Sequence, residues 1–99
     1  MAEHPLDTMR TLDPKLFSLV EETQHLALGE GVLPRKFKLL IALALDAAHG
    51  AVEGVRALTQ QAMKAGATKE EITEAIRVAQ YTSGVSSVYT ASRALKELF

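Results

Sequence analysis

Lys64-Ala65-Gly66-Ala67-Thr68-Lys69-Glu70-Glu71-Ile72 closes one helix and opens the next within nine residues. Gly66 supplies the backbone freedom that a helix end demands. Thr68 and Glu71 have capping-box spacing: the Thr68 hydroxyl accepts from the amide of residue 71, and the Glu71 carboxylate accepts from the amide of residue 68. Ile72, Ala75, Ile76 and Ala79 follow at helical spacing. This junction therefore predicts two consecutive helices.

Working upstream, Ala51 to Ala65 reads as a helix with Val52, Val55, Leu58, Ala62 and Met63 on its apolar side, and Gly50 allows a break or kink before it. Phe37 to Ala48 is apolar almost all round, interrupted only by Lys38 and Asp46, so this helix must be covered on several sides. Pro34 suits its start. Asp13-Pro14 starts an earlier helix that carries Leu16, Phe17, Leu19, Val20, Leu26 and Leu28 and ends at Gly29-Glu30-Gly31. Residues 1–12 read as an N-terminal arm, loose or docked on a neighbour, which leaves residues 13–99 as one domain. Downstream, Tyr81-Thr82-Ser83-Gly84 breaks the helix, and Val85, Val88, Tyr89, Ser92, Leu95, Leu98 and Phe99 carry a last helix to the chain end. The expected class is all-α, with about five helices and no strand.

Composition agrees with this class and narrows the function. Ala and Leu are abundant and aromatic residues make up only 5%, which favours closely packed helices. A 47% hydrophobic content in 99 residues exceeds what so small an interior can hide, so an oligomer is expected. The net charge of −1 argues against a nucleic-acid partner, which needs clustered Lys and Arg. The longest strictly apolar run, Leu39 to Leu45, falls far short of the roughly 20 residues that span a bilayer. Neither a membrane partner nor a leader segment is expected, and the expected location is the cytoplasm. With no cysteine, disulfides, thiolate metal sites and dithiol mechanisms are impossible. His4 and His25 have no partner at metal-ligand spacing and read as surface residues; neither metal nor cofactor is expected.

Three segments resemble the carboxymuconolactone decarboxylase family, which includes the alkylhydroperoxidase D (AhpD-like) proteins. Lys36-Phe37-Lys38-Leu39-Leu40-Ile41-Ala42-Leu43-Ala44 is similar to its opening helix. Lys64 to Ile72 resembles its Ala-Gly-Ala-Thr turn, and Ser83-Gly84-Val85 with Ala91 to Leu95 resembles its small-residue tail. The resemblance implies an AhpD-like helical domain assembled as a homo-oligomer, a trimer or hexamer. It also implies where redox members keep their reactive groups: two cysteines at the positions of Ala51 and Gly54, a histidine at Leu58 and a glutamate at Leu39. All four are replaced, so peroxidase or thiol-exchange activity is not expected. The decarboxylases proper lack the cysteines too but generally keep the histidine, so the change at Leu58 puts that activity in doubt as well.

The same region still holds polar groups. Asp46, His49, Glu53 and Arg56 are spaced by three, four and three, and share one side of a helix if Gly50 does not turn the chain. A carboxylate beside His49 can set its tautomer, and an arginine can clamp a substrate carboxylate by two parallel hydrogen bonds. On that reading His49 and Glu53 are the catalytic candidates, while Asp46 and Arg56, with Tyr81 and Tyr89 near the last junction, bind a small carboxylate or lactone. The alternatives are a solvated face of ordinary ion pairs and tyrosines that bridge core and water. A non-thiol lyase or isomerase and a non-catalytic oligomeric binding module are both compatible with this pattern.

Overall fold

A computed structural model of the chain describes residues 6–99. The described residues form six helices: α1 (Asp7–Leu12), α2 (Pro14–Leu28), α3 (Arg35–Ala48), α4 (Val52–Lys64), α5 (Lys69–Ser83) and α6 (Ser86–Leu95). Within the expected arm, residues 7–12 are helical and contact α2 of the same chain. Asp7 pairs with Arg10 at 3.0 Å, and the Arg10 guanidinium lies 4.7 Å from the centre of the Phe17 ring. Pro14 separates α1 from α2 by pushing Asp13 out of helical geometry, and Asp13 Oδ1 then accepts from the Leu16 amide at 3.1 Å. His4 lies outside the described residues.

The body of the molecule is α3 to α6 packed around α3. Leu39, Leu43 and Ala47, each four residues on, put one stripe of α3 fully inside. Leu39 and Leu43 meet Ala62, Ala67 and Ile72, while Ala47 meets Val55, Ala79, Ala91 and Ala94; Ile76 and Leu95 bridge the two groups. The second group consists almost wholly of alanines, so helix backbones approach closely there. Phe37, Ile41 and Leu45 form the opposite stripe of α3 and remain 45%, 52% and 55% exposed. Among the described residues, nothing buries this outer stripe of the strongly apolar helix.

Two turns set the relative directions of α3, α4 and α5 by the same motif. At the end of α3 the Ala51 amide donates to the Asp46 carbonyl (2.9 Å) and Gly50 to Ala47 (3.3 Å), with Gly50 at φ 78°. At the end of α4 the Ala67 amide donates to Ala62 (2.8 Å) and Gly66 to Met63 (3.0 Å), with Gly66 at φ 101°. These are paired six-to-one and five-to-two closures around a left-handed glycine. The expected junction at 81–84 is shifted: Tyr81 to Ser83 complete α5, and Gly84 alone ends it.

The capping box of α5 forms as the spacing predicts. Glu71 N donates to Thr68 Oγ1 (3.1 Å) and Thr68 N to Glu71 Oε1 (2.8 Å), while Lys36 Nζ reaches Glu71 Oε2 at 3.0 Å from the first turn of α3. The Thr68 amide, then the Lys36 ammonium, hold the Glu71 carboxyl below its ordinary pKa. A carboxyl with a depressed folded pKa stabilises the fold above its unfolded value, about 4.3, and the effect fades as pH falls through the lower folded value. Thr68→Ala is expected to lower the unfolding free energy by about 1 kcal/mol. Alanine keeps the residue 68 amide, so the pH test uses Glu71→Gln, whose urea melts are expected to differ from wild type less at pH 3 than at pH 7; equal losses at both would detach the cap from Glu71 ionisation.

Candidate functional site

Gly50 turns the chain, so the four polar residues do not share one helix face. They surround the α3–α4 turn from two sides. Asp46 is half-buried in the last turn of α3, with its carboxylate against Gly54 in the first turn of α4; a Cβ added at position 54 would overlap it. His49 is the exposed residue at the C-terminal cap of α3. Glu53 and Arg56 pair with each other within α4, Glu53 well exposed and Arg56 mostly covered. Arg56 Nε is buried with no hydrogen-bond partner, and so is the hydroxyl of Thr59 one turn on. The guanidinium is therefore partly engaged by Glu53 while its inner edge has no partner.

Tyr81 and Tyr89 are 87% and 61% exposed, on α5 and α6. Among the neighbouring hydroxyls, Ser87 is buried and donates to the Ala79 carbonyl at 3.4 Å. The positions that the resemblance assigned to reactive groups have become structural. Leu39 is completely buried in the core, Leu58 packs onto it, and Ala51 and Gly54 form the half-buried start of α4.

A second concave region lies on the other side of Leu58. A cleft of about 270 Å³ is lined by Gln24, His25, Leu28 and Gly29 at the end of α2, Arg35 at the start of α3, and Leu58 and Gln61 on α4. A neighbouring hollow of about 290 Å³ shares Arg35 and Gln61 and adds Lys64 and Ala65. Arg35 Nη1 donates to the Leu28 carbonyl (3.1 Å) and Lys38 Nζ to the Gly29 carbonyl (2.8 Å), so two cations cap the negative end of α2. Sequence reading set His25 aside because it looked for partners within one helix. His25 and Arg35 instead line one cleft from the two sides of the turn between α2 and α3, a separation that carries no periodic signal.

These features define a cysteine-free all-α protein built on six helices, with hydrocarbon where sulfur chemistry would sit. Residues 12–97 match the profile of the carboxymuconolactone decarboxylase family, and the chain belongs to that family. The match begins well upstream of Lys36, where the resembling segments start, and so takes in α2. The crystal structure of an apo carboxymuconolactone decarboxylase family protein from Legionella pneumophila is similar to this chain at 32% identity and a TM-score of 0.85, over 92% of this chain and 81% of that one. The likeness establishes the AhpD-like fold. Among curated proteins no sequence matches significantly. No helix among the described residues is long and apolar enough to cross a membrane. Thiol-dependent peroxidase chemistry has no nucleophile here.

Proposed function

We propose that this protein is a homo-oligomeric member of the family that binds a small carboxylate or lactone without any sulfur chemistry. The carrying observation is what occupies the four positions that the resemblance gives to reactive groups: Leu39 is in the packed interior, Leu58 is a half-buried hydrocarbon against it, and Ala51 and Gly54 only begin a helix. Side chains turned over to packing hold a shape and move no electrons. The half-exposed stripe of Phe37, Ile41 and Leu45 supports assembly, because an apolar helix face of this kind is stable when a second copy covers it. A trimer or hexamer is the assembly that family membership favours.

A catalytic reading rests on the α3–α4 turn, where Asp46, His49, Glu53 and Arg56 gather. On that reading His49 and Glu53 would move a proton, and Arg56, with Asp46, Tyr81 and Tyr89, would bind the carboxylate or lactone. The non-catalytic alternative is favoured by one specific observation, the ion pair that engages Arg56 with Glu53.

The test has two parts. Sedimentation at micromolar concentration is expected to give an oligomer, and Ile41→Lys is expected to shift it to monomer by placing a charge in the apolar contact. The purified protein, given a hydroperoxide and a dithiol donor, is expected to show no turnover above the protein-free rate. A monomeric wild type would remove the assembly from the proposal, and peroxide consumption would remove the rest.

A further inference from the structure

We infer that the cleft between the end of α2 and the α3–α4 pair is a binding site for a small carboxylate with an apolar body. The inference rests on the carboxylate-binding reading above and moves the site away from the α3–α4 turn. Three properties support it. The first is charge: the cleft and the adjoining hollow are lined by His25, Arg35 and Lys64 and by no carboxylate. Glu30 lines an adjoining depression that shares Leu28, Gly29 and Arg35 with the cleft, so the acid's charged end is placed on the His25 and Gln61 side of Arg35.

The second is preorganisation. One nitrogen of the Arg35 guanidinium donates to the Leu28 carbonyl at 3.1 Å, which restrains the group while its other N–H donors stay available for a carboxylate. A cation already anchored loses less freedom when it binds. Arg56 differs here, since its own bond runs to a carboxylate that a ligand would have to displace.

The third is shape. Leu28 and Leu58 form an apolar floor, with the amides of Gln24 and Gln61 at the sides. A volume of about 270 Å³ lies below the range of roughly 300–1,000 Å³ for drug-sized ligands. It suits a small organic acid whose hydrocarbon part rests on the leucines while its charged end meets Arg35 and His25.

Ligand-observed NMR with benzoate, succinate and uncharged benzamide tests the assignment at pH 7. Wild-type protein is expected to bind at least one of the two acids saturably, and benzamide about tenfold or more weakly than benzoate if benzoate is the acid bound. Arg35→Gln is expected to weaken the acid by about tenfold or more, and Arg77→Gln, at an exposed position of α5, to leave it within about twofold. Far-UV circular dichroism and sedimentation check that the variants fold and assemble. Gln61→Trp, which fills the cleft from an exposed position, is expected to abolish binding even if Arg35→Gln proves unstable. Binding that survives both Arg35→Gln and Gln61→Trp but is lost in Arg56→Gln overturns the cleft and leaves the carboxylate reading standing. Failure of both acids to saturate wild-type protein overturns both, as does equal binding of benzamide and benzoate.

Discussion

Leu39→Glu, at the position where the resemblance implies a glutamate in redox members, is expected to destabilise the protein by several kcal/mol, of order 3–5. Leu39 is completely enclosed by Leu43, Ala62, Ala67 and Ile72, none of which can donate a hydrogen bond from its side chain to a carboxylate. A domain of this size has only about 5–10 kcal/mol of folding free energy, so the variant should be marginal or unfolded at pH 7. Burial raises the folded pKa of the new glutamate above its unfolded value of about 4.3. The penalty is therefore full above the raised folded pKa and shrinks as pH falls toward the unfolded one. Urea melts at pH 7 and pH 4.5 should show partial relief at the lower pH. Leu39→Met, which conserves volume, is expected to cost less than about 1.5 kcal/mol. A Leu39→Glu protein as stable as wild type at pH 7 would mean that a polar path already reaches this position.

Gly54→Ala is expected to be destabilising by about 1–3 kcal/mol, although alanine ordinarily favours a helix over glycine by about 1 kcal/mol. The reason is local: the Asp46 carboxylate fills the space that a Cβ at position 54 requires. That carboxylate also lies beside the positive end of α4, which holds it there. In an Asp46→Ala background the same glycine change should become neutral or stabilising, giving a coupling of about 1–3 kcal/mol in a double-mutant cycle. Additive effects in thermal melts would show that Asp46 swings aside freely. Any side chain at position 54, a thiol included, therefore has first to move the Asp46 carboxylate.

What could be read from the residues is what short-range chemistry encodes. Thr68 and Glu71 satisfy each other over three residues, and Gly66 closes α4 within one turn, so this junction was legible. The family and its fold followed from such segments in order. α1 was missed because six residues of mixed character carry no apolar period, and its packing depends on Arg10 meeting Phe17 across a proline. The polar series 46, 49, 53 and 56 kept helical spacing through Gly50, but spacing cannot report that this glycine adopts φ 78° and divides the series between two helices. The oily circumference of α3 was visible in Phe37 to Ala48, while the choice of Leu39, Leu43 and Ala47 as the inner stripe depends on where α4 to α6 lie. His25 and Arg35 show the same limit from the other direction, since only the three-dimensional course of the chain brings them to one cleft.

The uneven attachment of α2 has a consequence for motion. α4 to α6 grip α3 over most of its length, but α2 buries only Phe17 and touches the body chiefly along α3. Segments with so little buried contact open at a small fraction of the free energy needed to melt the whole domain. Opening of α2 would move the Leu28 wall of the cleft against the Leu58 wall, and a guest seated between the two would oppose it.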